Sequence, residues 1–337
     1  MSAPVDLSVV LVAWNSRDSL ARAVRAIRQS ANESDAVVEF VVVDNASGDG
    51  AVEALDVAPS DVVVWNPLNA GYGVAAAQGA SLASGPWILF VNPDVVVADS
   101  FLRALLVEAR EAPPNVSTLV PDMRYMSNPR VINSRGVTID ETGIPSELDA
   151  GVDVADAVPR TDVFGGSTGC CLIRTGALHA VGGFELCYFA YLEDVDIAAR
   201  LQACGYTSRF VPNAVAYHEG SASLGGVSPL KSHIVARSRR LFFQLNGPRG
   251  LRASMWRILV EMGHAAVSIL GGGGMGPVLG RCDAIRLHGY TRYARASRKH
   301  QGGAVATPPY APRTGLLETL RRKRTVSREL ADRDGLR

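Results

Sequence analysis

The sequence predicts an α/β protein: a doubly wound, mainly parallel sheet followed by a basic helical C-terminal extension. Three observations predict it. Short apolar runs alternate with helical patterns over the first 110 residues, the runs end in polar residues, and charge divides sharply along the chain.

Leu7 to Ala13 is the first strand, and Ser16 is placed to cap a helix running to about Gln29. Val37 to Val43 is the second strand, with Ser47 capping a helix near Gly50 to Val57. Asp61 to Trp65, a helix from about Gly73 to Ala83, the Trp87 to Val91 strand and a helix from Asp99 to Arg110 complete the series. Four βα units in succession require parallel strands, and such sheets bind ligands beyond the carboxyl ends of their strands.

Those ends are polar. They read Ala13-Trp14-Asn15, Asp44-Asn45-Ala46-Ser47, Asn66 through Asn69 to Gly71, and Asn92-Pro93-Asp94. Pro93 lacks an N–H and biases Asn92 toward extended geometry, so the fourth strand stops there and the Asp94 carboxylate is held on a short, stiff turn. Any one of these groups could serve only as a turn or a cap. Four on one rim point to a ligand crevice. Gly71 to Ala76 also fits the dinucleotide fingerprint of an NAD-linked oxidoreductase, but that fingerprint belongs directly after the opening strand and here follows the third. Gly71 and Gly73 are read instead as letting the backbone pass close to a ligand.

Beyond residue 115 the alternation stops. Residues 122 to 160 are rich in Pro, Gly and Asp with little periodicity, as a long excursion over a site would be. A helix then opens on Glu193, Asp194 and Asp196 and stops at Gly205. Carboxylates in a first turn complement the helix dipole. Clustered carboxylates also repel one another and can raise a pKa, as general-base chemistry requires.

The length of 337 residues suggests about two domains. Residues 1–229 hold 13 Lys and Arg against 27 Asp and Glu, a net of −14, whereas residues 230–337 hold 21 against 6, a net of +15. A basic tail on an acidic body meets phosphate, in lipid head groups or in nucleic acid. Arg237, Arg239 and Arg240 interleaved with Leu241, Phe242 and Phe243, and Trp256 to Val260 among Arg252 and Arg257, read as basic amphipathic helix lying on an anionic leaflet, or packed on the catalytic body. After Gln301 the chain is Pro- and Arg-rich and is expected to be disordered. Five cysteines without metal-site spacing fit reduced thiols in a cytosolic protein. Leu7 to Ala13 is too short for a signal-peptide core, and Glu261, His264 and Gly271 to Gly274 spoil Ile258 to Gly280 as a membrane span.

In order and spacing, Ser8 to Asn15, Val43 to Ser47, Asn69-Ala70-Gly71, Asn92-Pro93-Asp94, Gly182-Gly183-Phe184, Glu193-Asp194-Val195-Asp196 and Tyr217-His218 resemble the family 2 inverting glycosyltransferases of GT-A fold. More narrowly they resemble the bacterial rhamnosyltransferase-like branch that builds cell-surface polysaccharides. The resemblance spans residues 7 to 226. It implies a Rossmann-like nucleotide-binding half and an acceptor half, and it assigns roles. Asp44 would bind the base of a nucleotide sugar, with Ala13, Asn15 and Asn69 beside it and Gly71 and Asn92 lining the same donor site. Asp94 and His218 would hold Mg2+ or Mn2+ against the diphosphate. Asp194 would be the catalytic base, with Glu193 and Asp196 orienting the acceptor or tuning the base. Asn92 stands where the family's metal motif has its first Asp, and Trp14 where the family often has Tyr.

The implied protein is a metal-dependent transferase, cytoplasmic and peripheral on the inner face of the plasma membrane, acting on a lipid-linked or glycan acceptor. Its donor would be dTDP-rhamnose, with UDP-galactofuranose or another UDP-hexose as the alternative. Residues 1–228 would form the catalytic domain, 229–300 a membrane-associating helical region and 301–337 the tail. An NAD-linked oxidoreductase and an inactive nucleic-acid-binding protein are the readings from other classes; no nucleic acid is expected.

Overall fold

The computed structural model describes residues 4–140, 144–220, 228–247 and 274–300, with scattered positions between 255 and 269. In chain order the first half comprises β1 (Leu7–Ala13), α1 (Arg17–Glu33), β2 (Val38–Asp44), β3 (Val62–Trp65), α2 (Tyr72–Leu82), β4 (Trp87–Val91), β5 (Val95–Val97), α3 (Phe101–Glu111) and β6 (Val116–Tyr125). Then follow β7 (Ile132–Ser134), β8 (Val137–Ile139), β9 (Pro145–Glu147), β10 (Asp162–Val163), β11 (Cys170–Arg174), α4 (Thr175–Ala180), α5 (Glu193–Ala203) and β12 (Thr207–His218). The chain continues into α6 (Pro229–Asn246), α7 (Gly276–Arg286) and α8 (His288–His300).

One sheet runs β10-β12-β6-β11-β4-β1-β2-β3. Its β3, β2, β1 and β4 are mutually parallel, β11 lies antiparallel between β4 and β6, and β6 and β12 are again parallel. β1 is buried at every position because helices cover both faces, which is why it reads as a continuous apolar run without alternation. α1 and α3 supply Leu20, Ile27, Phe101 and Leu105 to one face, and α2, α4 and α5 supply Ala76, Leu178 and Leu201 to the other. α2 is built from small residues so that it can lie close: a Cβ at Gly79 would stand 2.5 Å from Val10 Cγ1.

The connection from β2 to β3 is not the helix expected at Gly50 to Val57 but a turn at 51–54, with no regular helix between the two strands. Gly50 at φ 68° breaks the path. Ser47, read as the cap of that helix, is used elsewhere: its Oγ accepts from the Asn15 N–H at 3.0 Å, and nearby Asp49 accepts from the Arg17 N–H at 2.8 Å. Ser16 precedes α1 without a side-chain cap bond, and the helix runs on to Glu33. The excursion at 122–160 carries β7, the β8–β9 hairpin and a 3-10 turn at Val154–Asp156, anchored by the buried Arg135–Asp122 pair at 2.8 Å.

α6 is part of the body. Leu241, Phe242, Phe243 and Leu245 share a core with Val137, Ile139, Phe164, Tyr188 and Val195. Its apolar residues therefore face protein, correcting the expectation that they lie on a leaflet, since the same amphipathic pattern suits either apolar partner. Against α6 packs α7, at glycines Gly276 and Gly280, where a Cβ would strike the Pro229 and His233 carbonyls. The outward face of α7 carries Leu279 and Ile285, each more than half exposed. Among the described residues no helix is long and apolar enough to cross a membrane. Trp256, Ile258, Val260, Arg252, Arg257 and the tail after Gln301 lie outside the described residues.

Candidate functional site

The predicted rim residues gather at the carboxyl ends of β1, β2, β4 and β12. On the β1–β2 side, Asn15 and Ala46 adopt left-handed backbone (φ 49° and 63°), turning two loops toward each other. Asn15 Oδ1 accepts from Gly48 N–H at 2.9 Å, and the buried Asp44 carboxylate accepts from Ser47 N–H at 3.1 Å. Asn69 Oδ1 accepts from Asn45 Nδ2 at 2.8 Å and from Gly71 N–H at 2.9 Å, while Asn45 Oδ1 accepts from Asn66 Nδ2 and Ala70 N–H. Asparagine is used repeatedly here because one side chain can both donate and accept. The half-buried Trp14 and exposed Asn15 sit at the open edge of this network.

Gly71 has a different cause from the one expected. At φ 88° its missing Cβ is replaced by the backbone and ring of Phe189, and Tyr72 N–H donates to the Phe189 carbonyl at 2.6 Å. Gly73 likewise meets the Tyr188 carbonyl. The close approach that requires glycine is to the chain's own Tyr188–Phe189 segment.

Register brings the next pair together. β5 runs antiparallel to β12 with Val95 opposite His218, so Asp94, one residue earlier, stands at the histidine. His218 Nε2 lies 3.2 Å from Asp94 Oδ2, and its Nδ1 lies 3.0 Å from Asn133 Oδ1. Asn92 closes the turn: its N–H donates to the Gly169 carbonyl and its carbonyl accepts from Val95 N–H. With its proton on Nδ1, toward the Asn133 amide oxygen, the imidazole would present an Nε2 lone pair beside the carboxylate. In that tautomer the pair can hold a cation, whereas with the proton on Nε2 the contact is an ordinary hydrogen bond to Asp94. A carboxylate oxygen with an imidazole nitrogen suits Mn2+ or Mg2+. Among the described residues no three of His, Cys, Asp and Glu converge as a complete shell. Two protein ligands fit a divalent ion whose remaining positions are filled by phosphate and water.

Facing this pair is an acidic cluster. Tyr191 and Leu192, both left-handed (φ 64° and 68°), turn the chain sharply so that α5 begins at Glu193. Glu193 is buried, its Oε1 accepting from Thr168 Oγ1 at 3.1 Å and its Oε2 finding no partner among the described residues. Asp194 accepts from the Val195 N–H at 2.7 Å. A third carboxylate, absent from the sequence reading, joins them: Glu147 at the end of β9, which accepts from Ser134 Oγ and, at 3.2 Å, from Ser167 Oγ. Burial, then Asp194, pushes the Glu193 carboxyl up to about 8. Glu147, although exposed as a residue at the end of β9, has its carboxyl raised in the same direction, by burial first and Asp194 second. Asp194 is raised as well, by burial, against the backbone and Ser167 hydrogen bonds that favour its charge.

The direction settles which effect dominates at this helix start. A dipole contributes about 0.3–1 kcal/mol in favour of the charged form. Raising Glu193 from 4.5 to about 8 corresponds to roughly 4–5 kcal/mol the other way. Asp196, by contrast, does not face the cleft group: it is fully buried, paired with Arg200 at 2.8 Å and bonded by Asn246 Nδ2 at 2.7 Å. The expectation that Asp196 orients an acceptor is corrected, since two residues along a helix turn a side chain toward the opposite side.

Residues 8–182 match the family model described as Glycosyl transferase family 2. An N-acetylglucosaminyl-diphospho-decaprenol L-rhamnosyltransferase of Mycobacterium tuberculosis is 28% identical over 238 residues, covering 62% of this chain and 74% of that protein. A pre-mycofactocin glycosyltransferase of the same organism is 26% identical over 222 residues, 65% of this chain and 44% of that one. Among solved structures, the mannosyltransferase PcManGT of Pyrobaculum calidifontis, with GDP-Man and Mn2+, superposes with TM-score 0.51 at 15% identity over 89% of this chain and 86% of that one. S. aureus TarS 1-349 in complex with UDP-GlcNAc gives 0.52 at 16% identity over 88% and 89%. These solved structures share the fold of this chain, the GT-A fold.

Proposed function

Because the chain belongs to glycosyl transferase family 2, we propose that it is a metal-dependent, inverting transferase that moves L-rhamnose from dTDP-rhamnose to a lipid-linked glycan. That it is a glycosyltransferase follows from the family; donor, acceptor and metal are the proposal. One observation carries the reading. The Asp94–His218 pair, 124 residues apart in sequence, stands beside the Glu147–Glu193–Asp194 cluster, giving a cation-ready end and a proton-accepting end.

Each end fits a half of the reaction. Displacing a nucleoside diphosphate builds negative charge on the leaving phosphate. A divalent ion held by Asp94 and His218 would neutralise that charge. Asp44, Ala13, Asn15 and Asn69 would hold the nucleotide along the β1–β2 rim, with Gly71 and Asn92 at its borders. On the opposite side the acceptor hydroxyl must lose its proton as it attacks, and one carboxylate suffices for a single displacement with inversion. Asp194 is the base in this reading: it is partly accessible, whereas Glu193 is shut in behind Thr168. Its raised pKa makes it a better proton acceptor near neutral pH than an ordinary carboxylate.

The donor is supported by the 28% identical mycobacterial rhamnosyltransferase, whose name also specifies a diphospho-lipid acceptor. Membrane association, on an anionic surface at the inner face, is supported by the +15 net charge of residues 230–337 and by the apolar residues that α7 exposes. The test is release of nucleoside diphosphate from a panel of dTDP- and UDP-sugars, with an N-acetylglucosaminyl-diphospho-lipid acceptor, in Mn2+, in Mg2+ and in EDTA. Turnover of dTDP-rhamnose with metal, and none in EDTA, is expected. Turnover of a UDP-sugar alone would replace the donor, and undiminished turnover in EDTA would remove the metal.

A further inference from the structure

All three carboxylates of the acidic cluster are held by one short segment, Phe164-Gly165-Gly166-Ser167-Thr168-Gly169, on the way into β11. Its glycines let it press onto the body: a Cβ at Gly165 would strike Ala198 of α5, and one at Gly166 would stand 2.6 Å from Cys171 Cβ of β11. The backbone is tied on both sides. Val137 N–H donates to the Gly165 carbonyl at 2.9 Å, Tyr72 Oη to the Thr168 carbonyl at 2.9 Å and Cys170 N–H to the Ser167 carbonyl at 3.0 Å. Ser167 and Thr168 are therefore fixed, buried, at the first turn of α5.

Their donors go to carboxylates. Thr168 Oγ1 donates to Glu193 at 3.1 Å, Thr168 N–H to Asp194, and Ser167 Oγ reaches both Asp194 and, at 3.2 Å, Glu147. A hydroxyl has one proton, so Ser167 serves one of the two carboxylates at a time. Glu147 decides which. Ionised, it competes for the Ser167 proton; protonated, it can donate to Ser167 Oγ and leave the Ser167 proton for Asp194. Burial first and Asp194 second favour the protonated form, against the Ser134 and Ser167 hydrogen bonds and His218. The other titratable groups facing Asp194 are Glu193 beside it, Tyr72 on α2 and Cys171 on β11, the last two pushed far up by burial and so neutral.

The last torsion of an aspartate is broad, so the direction of its oxygens is set by what donates to them. Val195 N–H, at 2.7 Å, belongs to the same helix turn, whereas Ser167 and Thr168 donate from outside it. We propose that Ser167 is the positioning residue of the base: its hydroxyl donates to Asp194 and, with the Thr168 N–H, fixes the rotation of the carboxylate toward the acceptor. This rests on the assignment of Asp194 as base in the reaction proposed above. The acceptor proton still goes to Asp194 itself: the acceptor O–H bond breaks, an Asp194 O–H bond forms, and no proton travels through the serine.

Steady-state kinetics of full-length Ser167→Ala test it, with a urea midpoint to report any loss of fold separately. Losing one hydrogen bond to a charged group corresponds to about 10- to 100-fold, so kcat should fall by that factor while KM for donor and acceptor stays near wild type. Because the lost bond favours the ionised carboxylate, the acid limb of kcat/KM should also move to higher pH, by on the order of one unit. A merely structural role would lower kcat without moving that limb. The same shift should appear when Ser167→Ala is made in a Glu147→Gln background, since the bond at issue ends on Asp194. Unchanged kcat, or an acid limb that stays in place, overturns the positioning role. So does a shift that vanishes in the Glu147→Gln background, which would assign the serine to Glu147. Asp194→Asn separates this from the reading beneath it: normal transfer by Asp194→Asn removes the base itself, whereas an inactive Asp194→Asn beside an unaffected Ser167→Ala keeps the base and removes only its positioning.

Discussion

Replacing Glu193 by Gln gives an unusual sign for a carboxylate deletion: it should stabilise the protein, and only at neutral to alkaline pH. Glu193 is 5% exposed, one oxygen is unpartnered among the described residues, and its carboxyl is pushed up to about 8 by burial and by Asp194. Its folded pKa thus lies above its unfolded value near 4.5, so the native state binds the proton more tightly than the unfolded chain. Stability is full below about 4.5 and is lost as pH rises through about 8. Gln keeps the shape and the Thr168 contact but never ionises. With the coupling to Asp194 and Glu147 discounted, the gain at pH 8 should be on the order of 2–4 kcal/mol and should vanish near pH 4.5. Urea midpoints of wild type and Glu193→Gln at pH 5, 6.5 and 8 measure it. A stability difference that is flat from pH 5 to 8 would refute the account of this cluster.

Asp194→Asn should leave donor binding intact and lower kcat by about 10²- to 10⁴-fold; near-normal kcat, with loss in Glu147→Gln instead, would move the base to Glu147. Asp94→Asn should abolish the metal-dependent part of nucleotide affinity, read by calorimetry with and without Mn2+, while leaving the melting temperature within a few degrees; wild-type transfer by this variant removes the ligand assignment. Asp196→Ala leaves Arg200 buried without its charge partner and should cost about 3–5 kcal/mol of stability in a urea titration, whereas a loss of activity alone would restore Asp196 to the cleft. Deleting residues 301–337 removes eight basic and four acidic residues and should weaken sedimentation with acidic liposomes; equal binding to neutral and acidic vesicles would exclude an electrostatic contribution.

How much was legible in the sequence follows the range of the interactions involved. β1, β2, β3 and β4 and the turn at Asn92-Pro93-Asp94 are local events, set by apolar runs and by proline, and were read within a residue or two. The supposed helix after Ser47 failed because cap residues signal only that a backbone N–H will be satisfied, not which one; here it belongs to Asn15, across the rim. Asp94 and His218 came from a resemblance, and what joins them is the β5–β12 register across 124 residues, which no local pattern encodes. Asn133 and Glu147 were missed for a related reason. They lie in the Pro-, Gly- and Asp-rich excursion, whose strands are three residues long and too short to show a period. A serine–carboxylate pairing could have marked Glu147 only once the hairpin register was known.

The C-terminal helix shows the same limit from another side, because amphipathicity reveals that a face is covered but not what covers it. α6 covers the back of α5. Asn246 donates to Asp196 on α5, and Ser238 Oγ donates at 2.8 Å to the Ala190 carbonyl, immediately before the left-handed residues Tyr191 and Leu192. Two consecutive non-glycine residues in that conformation cost of order 1–3 kcal/mol each and persist only where their surroundings impose them. α6 supplies part of that surrounding, and the strained turn is what delivers Glu193 and Asp194 to the cleft from a helix whose other carboxylate points into the core. The packed body therefore extends past residue 228. In the proposed enzyme the region that meets the membrane and the region that sets the base are one packed body, so a cut near residue 230 would remove Leu241, Phe242 and Phe243 from the core as well as charge from the surface. Loss of activity in such a truncation would report the position of Asp194 before it reported anything about lipid.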